Sequence, residues 1–278
     1  MASARVEGGG GGAEDMETRA ASDEVKRARQ RNCTGAPCRL ASGKLATVKI
    51  LAFDTSTSWL SVAVLAGGRV IERGEHAGHA HSSRLLPIVD EVLADTGLVL
   101  ADLDAIAFGA GPGAFTGVRI ACGVAQGLGL GAGVPVVPVS TLEAIAQTAF
   151  HAHAHERVVA CLDARMREVY VGAFAREDGA WREALPAAVL APAEVAPPMD
   201  AHDWFGAGDG FAAYPDLAAR LGLGGHDASL RPEARAIAEL AEARVASGAA
   251  VDVAQALPLY VRHRVALTTA ERNAGQRM

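Results

Sequence analysis

Aromatic residues are scarce in this chain of 278 residues: three Trp, three Tyr and seven Phe make up 5% of it. A protein that grips single-stranded nucleic acid by stacking bases on aromatic rings is therefore not expected. Cysteines number four, too few for a disulfide scaffold at this length. Cys122 and Cys161 sit in apolar runs as expected buried free thiols, and Cys33 and Cys38, without a second pair, make a poor zinc site. The N-terminus lacks the continuous apolar stretch of a signal peptide. The one uncharged window long enough to span a bilayer, Ile120 to Val139, carries five Gly, two Pro and Gln126, so it reads as helix, turn and strand instead of a membrane span. The expected location is cytoplasmic, with no membrane partner.

Half of the residues are apolar, enough to bury the core of one large or two small domains. The formal charge of −6 is unevenly placed. Residues 1–47 hold eight Lys/Arg against six Asp/Glu, while residues 48–278 hold 18 against 26, a net −8. An acidic body of this kind is a poor binder of phosphate backbones by itself. The run Gly8 to Gly12, scattered charges and absent apolar periodicity predict a disordered extension over 1–47. The pattern changes at Val48, which is also the expected natural start, because an internal GTG start codon reads as valine.

From Lys49 a buried strand (Ile50 to Phe53) leads into the polar loop Asp54 to Ser58. Two alternating strands, Leu60 to Leu65 and Val70 to Arg73, then meet at Gly67-Gly68, the signature of a hairpin with a primed turn. About 109 residues later the unit recurs: Val158 to Leu162, a loop opening with Asp163, Val169 to Ala175, a turn at Asp178-Gly179, and Trp181 to Leu185. Such a duplication predicts two similar α/β domains with mixed sheets facing a cleft, over 48–150 and 151–267, with a frayed tail at 268–278. Helices are expected after the cap candidates His81-Ser82-Ser83, with Leu85, Val89, Val92 and Leu93 on one face and Pro87 near the first turn. Further helices are expected after the glycine-rich turn to about Gly131, over Thr141 to Phe150, and from Pro232 to about Ser247.

The segment GAGPGAFTGVR, between strand and helix, matches G-x-G-x-x-A at Gly109, Gly111 and Ala114, but the acidic residue that reads a ribose is missing at the end of the next strand. No Gly-Lys-Ser/Thr follows, so it is not a P-loop. A structural turn at a helix N-terminus remains, one that can still attract an anion. Glycines recur at 123, 127 and 131. Each interior glycine costs about 0.5–1 kcal/mol relative to alanine, so a ridge of them on one face needs a compensating close approach, either to the chain's own sheet or to a partner. Asp54 and Thr55, at the mouth of the cleft, suit magnesium or phosphate but also suit a turn cap. The histidines at 76, 79 and 81 and at 151, 153 and 155 lack the spacing of a helical zinc pair; the second group reads as solvated side chains in a connector.

Taken together, VKILAFDTSTSWLSVAVL, HSSRLLPIVDEVL, LDAIAFGAGPGAFTGVRIACGVAQGL, VPVVPVSTLEAIA, CLDARMREVYVGAF and PLYVR resemble the TsaB (YeaZ-like) family, over about Val48 to Arg262. The resemblance implies the duplicated actin-like, Hsp70-like ATPase (RNase H-like) superfold. It also implies an accessory role without catalysis in making N6-threonylcarbamoyladenosine in tRNA. The implied partners are the paralogue TsaD, which transfers the threonylcarbamoyl group, and the ATPase TsaE. No cofactor is then expected on this chain alone, with ATP and tRNA handled mainly by the assembled complex. In the catalytic paralogue a His-His-Met-Glu-Gly-His type motif holds a metal; here the same place reads Ser140 to Ile145, and Thr141 and Ile145 do not replace two imidazoles. Asp54 and Thr55 are then a vestigial phosphate loop, and the second loop, Asp163-Ala164-Arg165, lacks phosphate-wrapping glycines. Ala114 departs from the serine common in the family's GPGSFTG. The implied partner interface takes in Leu85, Val89, Val92, Leu93, Arg119, Gly123 and Gly127, with self-association through the same helices when the partner is absent. The alternative, an enzyme of the glycoprotease or sugar-kinase type, requires the metal ligands and phosphate loops that these positions lack.

Overall fold

Four consecutive apolar residues with no exposed surface, Ile50 to Phe53, place β1 (Ile50–Asp54) at the centre of a sheet. A strand apolar on both faces needs cover on both, and it gets a helical layer on each side. In the computed structural model, which describes residues 48–262, β1 pairs antiparallel with β2 (Trp59–Ala66) and parallel with β4 (Ala105–Gly111). β3 (Arg69–His76) and β5 (Val136–Ser140) complete the order β3-β2-β1-β4-β5. At the β2–β3 turn Gly67 and Gly68 take φ of +63° and +72°, the left-handed pair that a primed two-residue hairpin requires. The second sheet comprises β6 (Arg157–Arg165), β7 (Glu168–Glu177), β8 (Ala180–Leu190), β9 (Phe205–Ala207) and β10 (Gly225–Asp227), in the order β8-β7-β6-β9-β10. It repeats the first strand by strand, so the duplication seen in the Asp54 and Asp163 units extends to the topology. The described residues lie within one compact unit; the expected extension over 1–47 and tail over 268–278 lie outside them.

The helices are α1 (His81–Thr96), α2 (Phe115–Ala132), α3 (Thr141–His153), α4 (Gly210–Ala213), α5 (Leu217–Leu221) and α6 (Ala234–Ala246). α1 and α2 cover one face of the first sheet, where Leu51, Phe53, Ile106 and Phe108 meet Leu85, Val89, Val92 and Ala125. Two helices cross the expected boundary at 150/151. α3 follows β5 in sequence but sends Leu142, Ile145, Ala146 and Ala149 into the core of the second sheet, against Val158, Ala160, Leu162 and Phe174. α6 belongs to the second half in sequence but lays Ala234, Ile237, Ala238 and Ala241 on the free face of the first, against Ile50, Ala52, Val137 and Val139. Small alanines let α6 lie close to the sheet, and the exchange makes the halves interdependent. The other face of the second sheet is closed by Phe211, Leu217, Leu221 and Trp204.

Local corrections follow from side-chain direction. α1 starts at His81, preceded by Ala80 without a side-chain cap. His81 turns inward instead, its Nε2 2.7 Å from Thr57 O, so neither it nor the two serines caps the helix. Pro87 falls in the second turn, on the exposed side. α6 starts two residues after Pro232. α3 takes in His151 and His153 and ends there, so of the three only His155 is in the connector: His151 Nε2 lies 2.7 Å from Glu239 Oε2, and His153 Nε2 lies 3.0 Å from Asp227 Oδ2.

Candidate functional site

The loop after β1 and the glycine-rich turn after β4 meet at the head of α2. Asp54 has no exposed surface. Its Oδ1 accepts hydrogen bonds from Ser56 N and Ser56 Oγ, each 2.8 Å; its Oδ2 is buried without a partner. Burial pushes the carboxyl up to about 7, against the opposing pull of the two Ser56 bonds. Thr55 Oγ1 donates to Gly117 O at 2.7 Å, and Ser56 O accepts from Ala114 N at 2.7 Å. A side chain at Gly109 would collide with the Asp54 carboxyl, at Gly113 with Ser56, and at Gly117 with the Thr55 carbonyl. The spacing of these three glycines is therefore explained by the chain's own loop.

This packing decides what the loop can hold. A phosphate at a helix N-terminus needs free backbone N–H groups and room beside them. Here the Ala114 N–H is taken by Ser56 O, the Thr55 hydroxyl by Gly117 O, and the space beside Gly113 and Gly117 by residues 55 and 56. A magnesium ion needs an accessible carboxylate, whereas Asp54 has no exposed surface and its Oδ2 is turned against Gly109. Asp54 and Thr55 do not fit a magnesium–phosphate group. Thr141 and Ile145 are fully buried, and Thr141 Oγ1 accepts from Gly111 N at 3.1 Å. Among the described residues no group of three or more His, Cys, Asp or Glu is placed to hold a metal ion.

At the matching loop of the second half, Asp163 Oδ1 accepts from Arg165 N (2.9 Å), and Asp163 N donates to Asp209 Oδ1 (2.9 Å). Arg165, Met166 and Arg167 take φ of 59°, 53° and 63° in succession, a left-handed conformation that costs non-glycine residues about 1–2 kcal/mol each. Nearby Cys161 is pushed up to about 12, first by burial and then by Asp209 and Asp163, so its thiol stays protonated and is no nucleophile.

The expected interface residues divide into two sets. Leu85, Val89, Val92 and Leu93 are at most 5% exposed and belong to the chain's own core; the apolar stripe that suggested a docking face is the stripe that covers the sheet. Arg119, Gly123 and Gly127 do face outward, and a Cβ on either glycine would meet no atom within 4 Å. They continue a ridge that the sequence reading took up only in part: Phe115, Arg119, Gly123, Gly127 and Gly131 lie four apart on the exposed side of α2, flanked by Leu130, which is 74% exposed. The four-residue spacing that picked out the glycines extends back to Phe115 and was the available signal. Arg119 packs its guanidinium 3.7 Å from the Phe115 ring centroid, and its Nε donates to Tyr260 Oη at 2.8 Å. A groove of about 880 Å³ elsewhere is lined by Glu143, Trp181, Glu183, Arg244 and Tyr260, but Arg244 is already bonded to Pro138 O (2.8 Å) and Glu143 (2.5 Å).

Two interdependent α/β halves of one topology, the first phosphate loop packed solid, define a chain of the actin-like, RNase H-like ATPase fold. A family model described as TsaD, tRNA N6-adenosine threonylcarbamoyltransferase, matches residues 73–271. The tRNA threonylcarbamoyladenosine biosynthesis protein TsaB of Haemophilus influenzae is 41% identical, covering 78% of this chain and 94% of its own length; that of Escherichia coli is 42% identical, covering 79% and 96%. The solved structure of YeaZ from Pseudomonas aeruginosa has a TM-score of 0.72 at 46% identity, over 77% of this chain and 99% of that one. The chain belongs to the TsaB (YeaZ) family.

Proposed function

We propose that this protein is an accessory subunit in the synthesis of N6-threonylcarbamoyladenosine in tRNA, without a catalytic site of its own, and that it binds a TsaD paralogue, with TsaE and ATP acting in the assembled complex. The observation that supports this reading is the packing of Asp54 to Ser56 against Gly109, Gly113 and Gly117, which encloses the carboxylate and spends the hydroxyl that an actin-like enzyme would turn towards its nucleotide. The outer ridge of α2 supports the second half of it. A helix whose exposed glycines meet nothing loses stability for no internal gain, and close approach of a partner helix offsets that cost. The partner contact is accordingly assigned to Phe115, Arg119, Gly123 and Gly127, with the exposed side of α1 around Leu86 beside them. Binding then acts by stabilising one conformation of the paralogue, a coupling of equilibria and not a chemical step.

Co-expression with the TsaD of the same organism tests it. The pair is expected to co-purify, Gly127→Leu to abolish co-purification with the chain still folded, and the modified nucleoside to form in tRNA only when both proteins are present. Unchanged complex formation by Gly127→Leu would refute the interface. Robust ATP hydrolysis or peptidase activity of the isolated chain would refute the accessory role.

A further inference from the structure

The last described residues, 256–262, run from α2 to the β6–β7 turn and are bonded to both. Ala256 O accepts from Gln126 Nε2 (3.0 Å) and Cys122 Sγ (3.4 Å) on α2. Leu259 N donates to Ala110 O at the end of β4 (2.7 Å). Tyr260 Oη accepts from Arg119 Nε, and its ring centroid lies 6.3 Å from that of Phe115. Two residues on, Arg262 Nη2 donates to Ala164 O (3.1 Å) and Glu168 Oε2 (2.5 Å), while Nη1 lies 2.9 Å from Met166 Sδ.

The groups that Arg262 holds bracket the three left-handed residues Arg165, Met166 and Arg167. Successive non-glycine residues keep that conformation only where their surroundings impose it. Asp163 anchors the entry to the turn through Arg165 N; the fork of Arg262, its side chain 11% exposed, supplies the hold on both flanks and on the middle residue. Arg262 is in turn placed by a segment that is bonded to α2 through Ala256 and seated on the α2 ridge through Tyr260. We propose that residues 256–262 form a latch that couples the Phe115–Arg119 end of α2 to the Arg165–Arg167 turn of the second half. With Tyr260 on Arg119 the turn is held left-handed; displacing Tyr260 frees Arg262 and lets the turn relax. The coupling is a property of this chain alone and stands whether or not the α2 ridge is the partner contact.

Hydrogen exchange on the full chain tests the latch, with Tyr260→Ala and Arg119→Gln at the α2 end and Arg262→Lys, which keeps the charge and loses the fork, at the turn. Neither Tyr260 nor Arg119 is hydrogen-bonded to the turn, yet all three variants are expected to speed exchange of the bonded amides that flank it, those of Arg165 and Glu168, by about tenfold, with β1 amides unchanged. Wild-type rates at these amides in Tyr260→Ala and Arg119→Gln would overturn the proposal. So would an acceleration confined to 256–262, or one spread equally over β1 and β6.

Discussion

The space where Gly109 would carry a side chain is occupied by the carboxyl group of Asp54. Two residues 55 positions apart thus share one volume, and the glycine is required by the aspartate. Gly109→Ala is expected to cost about 1–3 kcal/mol through overpacking. Asp54→Gly/Gly109→Ala should lose less than the two single changes added together, because removing the carboxyl makes room for the methyl. Urea denaturation of the two single variants and the double checks this, and strict additivity would show that the two residues do not compete for space.

Asp54 also makes stability depend on pH in a direction opposite to that of an ordinary surface aspartate. Its ordinary value is 3.8, and burial raises it to about 7 in the folded chain. Below about pH 4 both states are protonated and nothing is lost. Between about 4 and 7 the unfolded chain releases the proton and the folded chain keeps it, so stability falls as pH rises, by about 4 kcal/mol in all. Asp54→Asn should remove this slope. Denaturation of wild type and Asp54→Asn across that range measures the difference, which would be flat if the carboxyl were ionised in the fold.

The two kinds of residue once grouped as one interface should separate under mutation. Leu85→Ala empties a fully buried site and is expected to destabilise the isolated chain by about 2–5 kcal/mol. Gly127→Ala, with no atom within reach of the added methyl, should stabilise it by up to about 1 kcal/mol through helix propensity. Thermal unfolding of each variant distinguishes them; a destabilised Gly127→Ala would mean that the α2 ridge is packed against this chain after all.

Glu239, on α6, ties the first half to α3 of the second. Burial alone would raise its carboxyl, but hydrogen bonds from His151 and Arg235, the charge of His151 and a bond from Gln147 bring it down to about 2 from 4.5. A depressed acid contributes stability that is present above about 4.5 and is lost as pH falls towards about 2. Glu239→Gln should therefore cost about 1 kcal/mol near neutral pH, a figure that allows for solvent screening of a partly exposed group, and the difference from wild type should vanish at the acid end. A constant difference over the whole range would show that the charge is not what matters.

What could be read in the residues, and what could not, follows from the range of the interactions involved. The strands of the two hairpins, their glycine turns and the duplicated Asp54 and Asp163 loops depend on neighbours close in the chain, and they appear in the structure with ends shifted by at most five residues. The stripe Leu85, Val89, Val92 and Leu93 has a helical period in the sequence and is a buried helix face in the structure; periodicity reveals that a face is covered, not what covers it. The exchange of α3 and α6 between the sheets left no local mark, because an alanine-rich or apolar face is equally suited to either sheet.

The sequence by itself determined the fold class, the family and the four-residue ridge of α2, because strand alternation, turn glycines and motif order are written in neighbouring residues. Only the tertiary structure decided which residues are free to act. It turned Asp54 and Thr55 from a remnant binding loop into packing, withdrew four leucines and valines from the expected interface, and brought Arg262 to a turn nearly a hundred positions away. Burial and unfilled space depend on residues distant in the chain, and a linear pattern carries no record of which of them arrive at the same place.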